Sequence, residues 1–145
     1  MKWIKLFLWF ILLFLFLSCH SQKLVKTEKD SYKIKENEKS FIGKPLKDLL
    51  KQITPKINMV VAESNNGIHT RGNYFRFNFV DIKQSNTLKI NGKQPISIIV
   101  YVKEFFDWDF QKRLKGKESI WTKEDEEKYG NLTVTGFRVY GDAIK

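Results

Sequence analysis

Two stretches of the chain show the residue alternation of β-strands. Residues 74–80 alternate between phenyl rings on one face and polar side chains on the other, which predicts a strand with one buried face. Residues 95–104 are apolar on both faces over part of their length, which predicts a central strand of a sheet. The apolar positions are Phe75, Phe77 and Phe79 in the first stretch, and Ile96, Ile98, Ile99, Val100, Tyr101 and Val102 in the second.

Helical patterns appear in three other segments. Apolar side chains recur at i, i+3, i+4 and i+7 in residues 45–53, which predicts an amphipathic helix with Pro45 in its first turn. Thr122 and Asp125 have the spacing of a capping box, which predicts a short helix over 123–129. Apolar side chains four residues apart predict a further short helix, or an aromatic loop, near 106–115.

Two more strands complete the predicted sheet. Residues 57–62 form a short apolar run, and residues 132–140 are rich in β-branched and aromatic side chains, with Gly136 as a site for a bulge. Regular β–α–β alternation is absent from this order of elements. The sequence therefore predicts a single α+β domain over residues 40–145, with a small, mainly antiparallel sheet of roughly three to five strands.

Two polar segments are predicted to lie outside these elements. Residues 20–39 contain six Lys and four acidic residues without a sustained apolar face. Because burial cannot offset the ordering entropy of such a segment, we expect residues 19–39 to form a flexible charged tether. Residues 83–94 are expected to form a loop, with a brief strand at Leu88 and Ile90.

The N-terminal residues have the layout of an export signal. Lys2 and Lys5 precede twelve unbroken apolar residues at 6–17, and Ser18 and Cys19 follow. The apolar run is shorter than the ~20 residues that span a bilayer as a helix. This segment resembles the signal peptides of bacterial lipoproteins, in which a small residue precedes a cysteine that becomes acylated. An ordinary cleaved signal and an uncleaved membrane anchor are the alternatives.

The resemblance implies that residues 1–18 are removed and that Cys19 becomes the lipid-bearing N-terminus. It also explains the lone cysteine of the chain, which cannot form an internal disulfide. In this family the residue after the cysteine influences sorting, and His20 in place of Asp implies delivery to the outer membrane. We therefore expect a lipid-anchored protein on the periplasmic face of the outer membrane of a Gram-negative bacterium.

The charge of the chain narrows the choice of partner. The 26 basic and 16 acidic residues give a net charge of +10. Basic chains often bind nucleic acid, but an export signal directs this chain away from the compartment that holds it. We expect anionic phospholipid headgroups, an anionic polysaccharide or an acidic protein as counterparts instead.

The sequence offers few groups for catalysis or metal binding. His69 is the only histidine in residues 40–145, and the same range contains no cysteine, so neither a metal site nor a cofactor is expected. Carboxylates such as Asp107 and Asp109 would allow hydrolysis of a polysaccharide by two acids. An envelope hydrolase acting on polysaccharide or peptidoglycan is therefore an alternative function, although helix caps and solvated surface account for the same residues.

A cluster of aromatic residues is the most unusual feature of the predicted domain. Phe105, Phe106, Trp108, Phe110 and Trp121 fall within seventeen residues of one another. Such rings either complete the core of a small sheet or form a contact surface for a protein or glycan. Trp108 is the ring that we expect at the surface.

The expected contact residues are Trp108, Arg113 and Trp121, together with His69 and Arg71 from the turn-rich segment 64–73. The leading hypothesis is a non-enzymatic, lipid-anchored accessory or binding protein of the cell envelope. An immunity-type lipoprotein that neutralises a secreted toxin is a more specific version of that hypothesis.

Overall fold

The structure is a computed structural model that describes residues 22–63 and 71–142. It contains a four-stranded antiparallel sheet whose strands lie side by side in chain order. The strands are β1 (Met59–Glu63), β2 (Arg71–Asn78), β3 (Ser97–Asp107) and β4 (Val134–Tyr140). The predicted α+β fold with a mainly antiparallel sheet is confirmed.

Short helices precede, interrupt and follow the strands. The α-helices of the described residues are α1 (Tyr32–Glu36), α2 (Leu46–Leu50), α3 (Ile82–Ile90) and α4 (Lys123–Tyr129), and single turns of 3-10 helix occupy Glu28–Ser31, Glu38–Ser40 and Phe110–Lys112. The helix predicted over 45–53 is present in shorter form as α2, and the one predicted over 123–129 is present as α4. The predicted capping box of α4 is also present, with the Asp125 N–H donating to Thr122 Oγ1 at 3.2 Å.

One face of the sheet is buried and forms the core. The strand register places two rows of side chains on this face, Val60–Phe77–Ile98–Val139 and Ala62–Phe75–Val100–Phe137. Leu46 and Leu49 of α2 and Tyr129 of α4 pack in the same cluster. The apolar stripe of the first predicted helix therefore belongs to the same core cluster as the phenyl rings of β2.

The prediction of a flexible tether over residues 19–39 is wrong from residue 22 onward. Val25, Ser31 and Ile34 are fully buried, and the two apolar side chains belong to the core cluster. The Val25 N–H donates to the Gln52 carbonyl at 3.0 Å, which fixes the start of this segment beside α2. Isolated apolar side chains at suitable positions are enough to dock a segment whose overall composition is polar.

One further prediction of local structure is wrong. Residues 82–90 form helix α3 instead of a loop with a brief strand, because Asp81 and Gln84 make a capping box at its start. The region near 106–115, predicted as a short helix or an aromatic loop, continues β3 to Asp107 and then contains one 3-10 turn, Phe110–Lys112, within a loop. The expected bulge is present in β4, where the pairing shifts by one residue between Gly136 and Val134.

Candidate functional site

The aromatic cluster divides between core and surface: Phe106 and Trp108 are buried and Trp121 is half-buried, whereas Phe105 and Phe110 are 51% and 53% exposed. Trp108 is 6% exposed, and its ring lies edge-on to the Phe75 ring with the two centroids 5.7 Å apart. Trp121 is half-buried, with its ring edge-on to Phe75 and Phe77 at 5.4 and 5.3 Å. The expectation that Trp108 lies at the surface is therefore wrong, because the small sheet uses these rings to fill its own core.

Arg113, the second expected contact residue, is engaged within the domain. Its guanidinium lies 4.0 Å from the centroid of the Trp108 ring and makes a bidentate pair with Asp125, at 2.8 and 2.7 Å. It also donates to the Ile120 carbonyl at 2.8 Å. The hydrogen bonds that Arg113 donates to the Asp125 carboxylate raise the pKa of Arg113. These contacts hold the 109–122 segment against α4, which is a structural role.

The remaining expected residues divide between described and undescribed parts of the chain. His69 and Cys19 lie outside the described residues. Arg71 begins β2, and its backbone is opposite Asp107 of β3. The structure therefore brings Trp108, Trp121 and Arg113 together as one internal cluster.

The opposite face of the sheet, here called the outer face, is more polar. Its rows across β1 to β4 are Glu63–Tyr74–Tyr101–Gly136, Val61–Arg76–Ile99–Arg138 and Met59–Asn78–Ser97–Tyr140. The Tyr74 and Tyr101 rings lie 5.5 Å apart, and the Arg138 guanidinium lies 5.8 Å from the Tyr101 ring. Burial and a hydrogen bond to Glu63 raise the pKa of Tyr74 to about 12.

Helix α3 and the outer face line an open cleft of about 420 Å³, here called the outer cavity. Ser85 and Lys89, one turn apart on α3, line one side of it, while Met59, Val61, Pro95 and Ile99 provide an apolar wall. The polar groups from the sheet are Arg76, Asn78, Ser97 and Tyr140. Cavities of this size with an apolar wall and a few polar groups are typical of small-molecule sites.

Asn78 is the unusual residue of the outer cavity. Its side chain is 4% exposed, and its Nδ2 has no hydrogen-bond partner among the described residues. A buried amide without a partner costs about 1–3 kcal/mol, so it is rarely kept where an apolar residue would fit. Asn78 therefore lines the cavity and carries a buried donor, Nδ2, that has no partner among the described residues.

The charged side chains that line the outer cavity are positive. Arg76 and Lys89 line it, and no carboxylate does among the described residues. The carboxylate of Asp142, close by in the chain beyond β4, accepts a hydrogen bond from the Gln94 N–H at 2.8 Å. That of Asp81 accepts from the Gln84 N–H at the start of α3, also at 2.8 Å. The site thus offers donors and positive charge.

The described carboxyl groups are arranged as hydrogen-bond acceptors. Every one whose pKa is clearly shifted has a lowered pKa: Asp30, Glu104, Asp109, Glu118, Glu124 and Asp125. For Glu104 burial raises the pKa, but the hydrogen bonds from Thr133, at 2.7 and 2.8 Å, outweigh it. A general acid for glycoside hydrolysis needs the opposite shift.

Within residues 22–63 and 71–142, the structure shows no group of three or more His, Cys, Asp or Glu side chains that could hold a metal ion. No helix in that same part of the chain is long and apolar enough to cross a membrane.

Sequence reasoning did not find the outer cavity, although two signals pointed toward it. Asn is depleted in strands, and Asn78 and Ser97 are polar residues at neighbouring positions of the two central strands. The Asp81 and Gln84 spacing is a helix-start signal of the kind recognised at Thr122 and Asp125. Together these signals indicate a polar strand position covered by a helix.

Comparison with protein families, curated proteins and solved structures found no match to the chain.

Proposed function

We propose that this chain is a lipid-anchored binding protein of a bacterial cell envelope, which holds its ligand in the outer cavity. The observation that carries the binding part is the buried Asn78 amide, which lines the cavity without a partner. Binding sites keep polar groups of this kind because the ligand satisfies them.

The anchoring part of the proposal rests on residues 1–19. The basic start, the apolar run of twelve residues and the Ser18–Cys19 pair support lipid attachment at Cys19. Several acyl chains on that residue would give stable attachment, which a single chain does not provide. His20 supports delivery to the outer membrane, with the domain on its periplasmic side.

Binding is favoured over hydrolysis by the state of the carboxyl groups. The shifted carboxyl groups have lowered pKa values, and the lining of the outer cavity provides cations and neutral donors. A two-acid hydrolase needs one carboxyl group with a raised pKa beside a second, ionised one. The proposal therefore assigns a non-catalytic role to the domain.

The anchor is tested by labelling cells with a radioactive fatty acid. The chain should carry label, and Cys19→Ala should carry none and remain as the full-length precursor. A matched Ser18→Ala variant keeps a small residue before the cysteine and should be labelled normally. Labelling of Cys19→Ala at the level of the unaltered chain would contradict the anchor.

The binding site is tested by photo-crosslinking in intact cells. A benzophenone side chain replaces Tyr140, which lines the outer cavity, or Phe110, which is similarly exposed but lies outside it. We expect an adduct from position 140 and none from position 110. Equal adducts from both positions, or an adduct from position 110 alone, would contradict binding at the outer cavity.

A further inference from the structure

We propose that the outer cavity recognises a small amphipathic anion, whose carboxylate or phosphate group is bound by Arg76, Asn78 and Lys89. This inference rests on the proposed binding function and names the chemical class of the ligand. It follows from three properties of the cavity: its unpartnered donor, its charge and its apolar wall.

The Asn78 amide requires a ligand with a hydrogen-bond acceptor. An Nδ2 group only donates hydrogen bonds, so the group that completes it must be an acceptor. Ser97 lies beside Asn78 in the strand register, and Ser85 lines the same cavity from α3. Both serines are buried, and their hydroxyls give the lining two further groups that can donate.

The charge of the side chains that line the outer cavity favours an anion. Arg76 and Lys89 reach the cavity from the sheet and from α3, and no described carboxylate lines it. An oxyanion would accept from the amide and the hydroxyls and would be attracted by both cations. A cationic ligand would meet repulsion and find no acceptor of opposite charge.

The apolar wall of the cavity requires an apolar portion in the ligand. Met59, Val61, Pro95 and Ile99 form the apolar wall, and Ile99 is 5% exposed even though it lies on the outer face. A bare inorganic ion would leave this wall in contact with water. A ligand with a short apolar chain attached to its anionic group covers both parts of the cavity.

The ligand class is tested with four probes that share a six-carbon chain: hexanoate, hexyl phosphate, hexanamide and hexylamine. Equilibrium dialysis measures binding of each probe to the full chain in detergent, after subtraction of binding to micelles alone. We expect one of the two anions to bind at least about tenfold more tightly than hexanamide, since a hydrogen bond to an ionised acceptor is stronger than one to a neutral acceptor. The tighter anion identifies a carboxylate or a phosphate as the natural group.

Tighter binding of hexanamide or hexylamine than of both anions would overturn the ligand class and leave the proposed binding function standing. Absence of binding by all four probes would overturn the ligand class as well. In that case the crosslinks from position 140 separately decide whether the cavity binds anything in cells.

Two arginine variants test where the anion binds. Arg76 and Arg138 lie in the same row of the outer face, but only Arg76 lines the outer cavity. Arg76→Gln should weaken binding of the preferred anion about tenfold or more, and Arg138→Gln should weaken it less than about twofold. Equal losses would show a general effect of surface charge and would contradict the assigned site.

Asn78→Leu separates binding from folding. Leu has a similar volume and removes the unpartnered donor, so the melting temperature should stay the same or rise while anion binding falls about tenfold. Unchanged binding would contradict the role assigned to Asn78. If this variant does not fold, Asn78→Ser keeps a shorter donor and should bind less tightly than the unaltered chain but more tightly than Arg76→Gln.

Discussion

The two faces of the same four strands are built on different physical principles. The core face carries rows of apolar side chains, and Phe75 alone contacts five other aromatic rings, with its centroid 4.3 Å from that of Phe106. The outer face carries tyrosines, arginines and the Asn78 amide, and α3 covers it with Ser85 as the helix's one buried side chain. Apolar packing is concentrated on one face, and the groups proposed to bind a ligand lie on the other.

The comparison shows how a small domain can keep a polar site that weakens it. A buried amide without a partner is a cost of about 1–3 kcal/mol, which is a large part of the stability of an ordinary domain. The dense packing of rings on the core face offsets that cost without involving the site. Substitutions on the two faces should therefore have clearly different effects on folding.

The largest difference is expected between Phe75→Ala and Tyr101→Ala, which remove one ring from each face. Phe75 is fully buried, so its loss should reduce the free energy of unfolding by about 3–5 kcal/mol. Tyr101 is half-buried, and its loss should reduce it by about 1–2 kcal/mol. Urea denaturation of the full chain measures both values, and equal losses would contradict the division between the faces.

Ile34→Ala tests how far the cover of the core face extends toward the N-terminus. Ile34 is fully buried in α1, so its truncation should cost about 2–4 kcal/mol. Tyr32→Ala in the same helix serves as the control, since Tyr32 is 40% exposed, and it should cost less than about 1 kcal/mol. If Ile34→Ala leaves the free energy of unfolding unchanged, α1 does not pack on the core, and the prediction of a flexible tether would be correct.

Arg113→Met tests the polar contact that closes the edge of the core. The side chains of Arg113 and Asp125 are 16% and 7% exposed, so the pair is nearly but not fully buried. Removal of the arginine should cost about 2–3 kcal/mol, less than the 3–5 kcal/mol of a fully buried pair. Lys112→Met is the control, because its pair with Asp109 is exposed, and should be nearly neutral.

The same pair has a pH signature. Burial raises the pKa of Asp125, but the hydrogen bonds from Arg113 and from the Thr122 N–H outweigh it and leave the pKa lowered. A lowered folded-state pKa adds stability above the unfolded pKa of about 3.9, and that stability is lost as pH falls through the folded value. Below about pH 4 the unaltered chain should lose more stability than Arg113→Met, and parallel losses would contradict this assignment.

The sequence predicted those parts of the fold that follow a regular period. The phenyl alternation of β2 and the apolar stripe of α2 each depend on three or four apolar residues that recur at a regular spacing. Val25 and Ile34 escaped prediction because each is a single apolar side chain in a charged segment. Their burial depends on contacts with residues far away in the sequence, and the mean composition of the segment does not show those contacts.

The candidate site was harder to predict because it depends on α3. Ile82 and Ile90, at the two ends of this helix, are 68% and 85% exposed, so it has no apolar stripe and periodicity did not detect it. Without α3, Asn78 is an ordinary polar residue on the solvent side of a strand. Trp108 was predicted at the surface but is buried, because an abundance of aromatic residues in a segment does not distinguish a core ring from a ring at a contact surface.

The smallest expected difference compares two strand glycines. A Cβ on Gly72 would lie 2.6 Å from the Phe106 ring, whereas a Cβ on Gly136 would lie 4.0 Å from Tyr101, an ordinary contact. Phe106 is held against Phe75 and cannot move aside freely, so Gly72→Ala should destabilise the chain by about 1–2 kcal/mol. Gly136→Ala should be neutral or stabilise it by up to about 1 kcal/mol, since Ala loses less entropy than Gly in a strand.

Thermal unfolding followed by circular dichroism measures the Gly72→Ala and Gly136→Ala variants under one condition. If Gly72→Ala is harmless, the ring stack on the core face has room to adjust, and its packing is looser than the distances indicate. If Gly136→Ala is the more damaging variant, the outer face is the tightly packed side. The second result would contradict the assignment of stability to the core face and of binding to the outer face, because a tightly packed outer face would leave no room for a ligand beside the Asn78 amide.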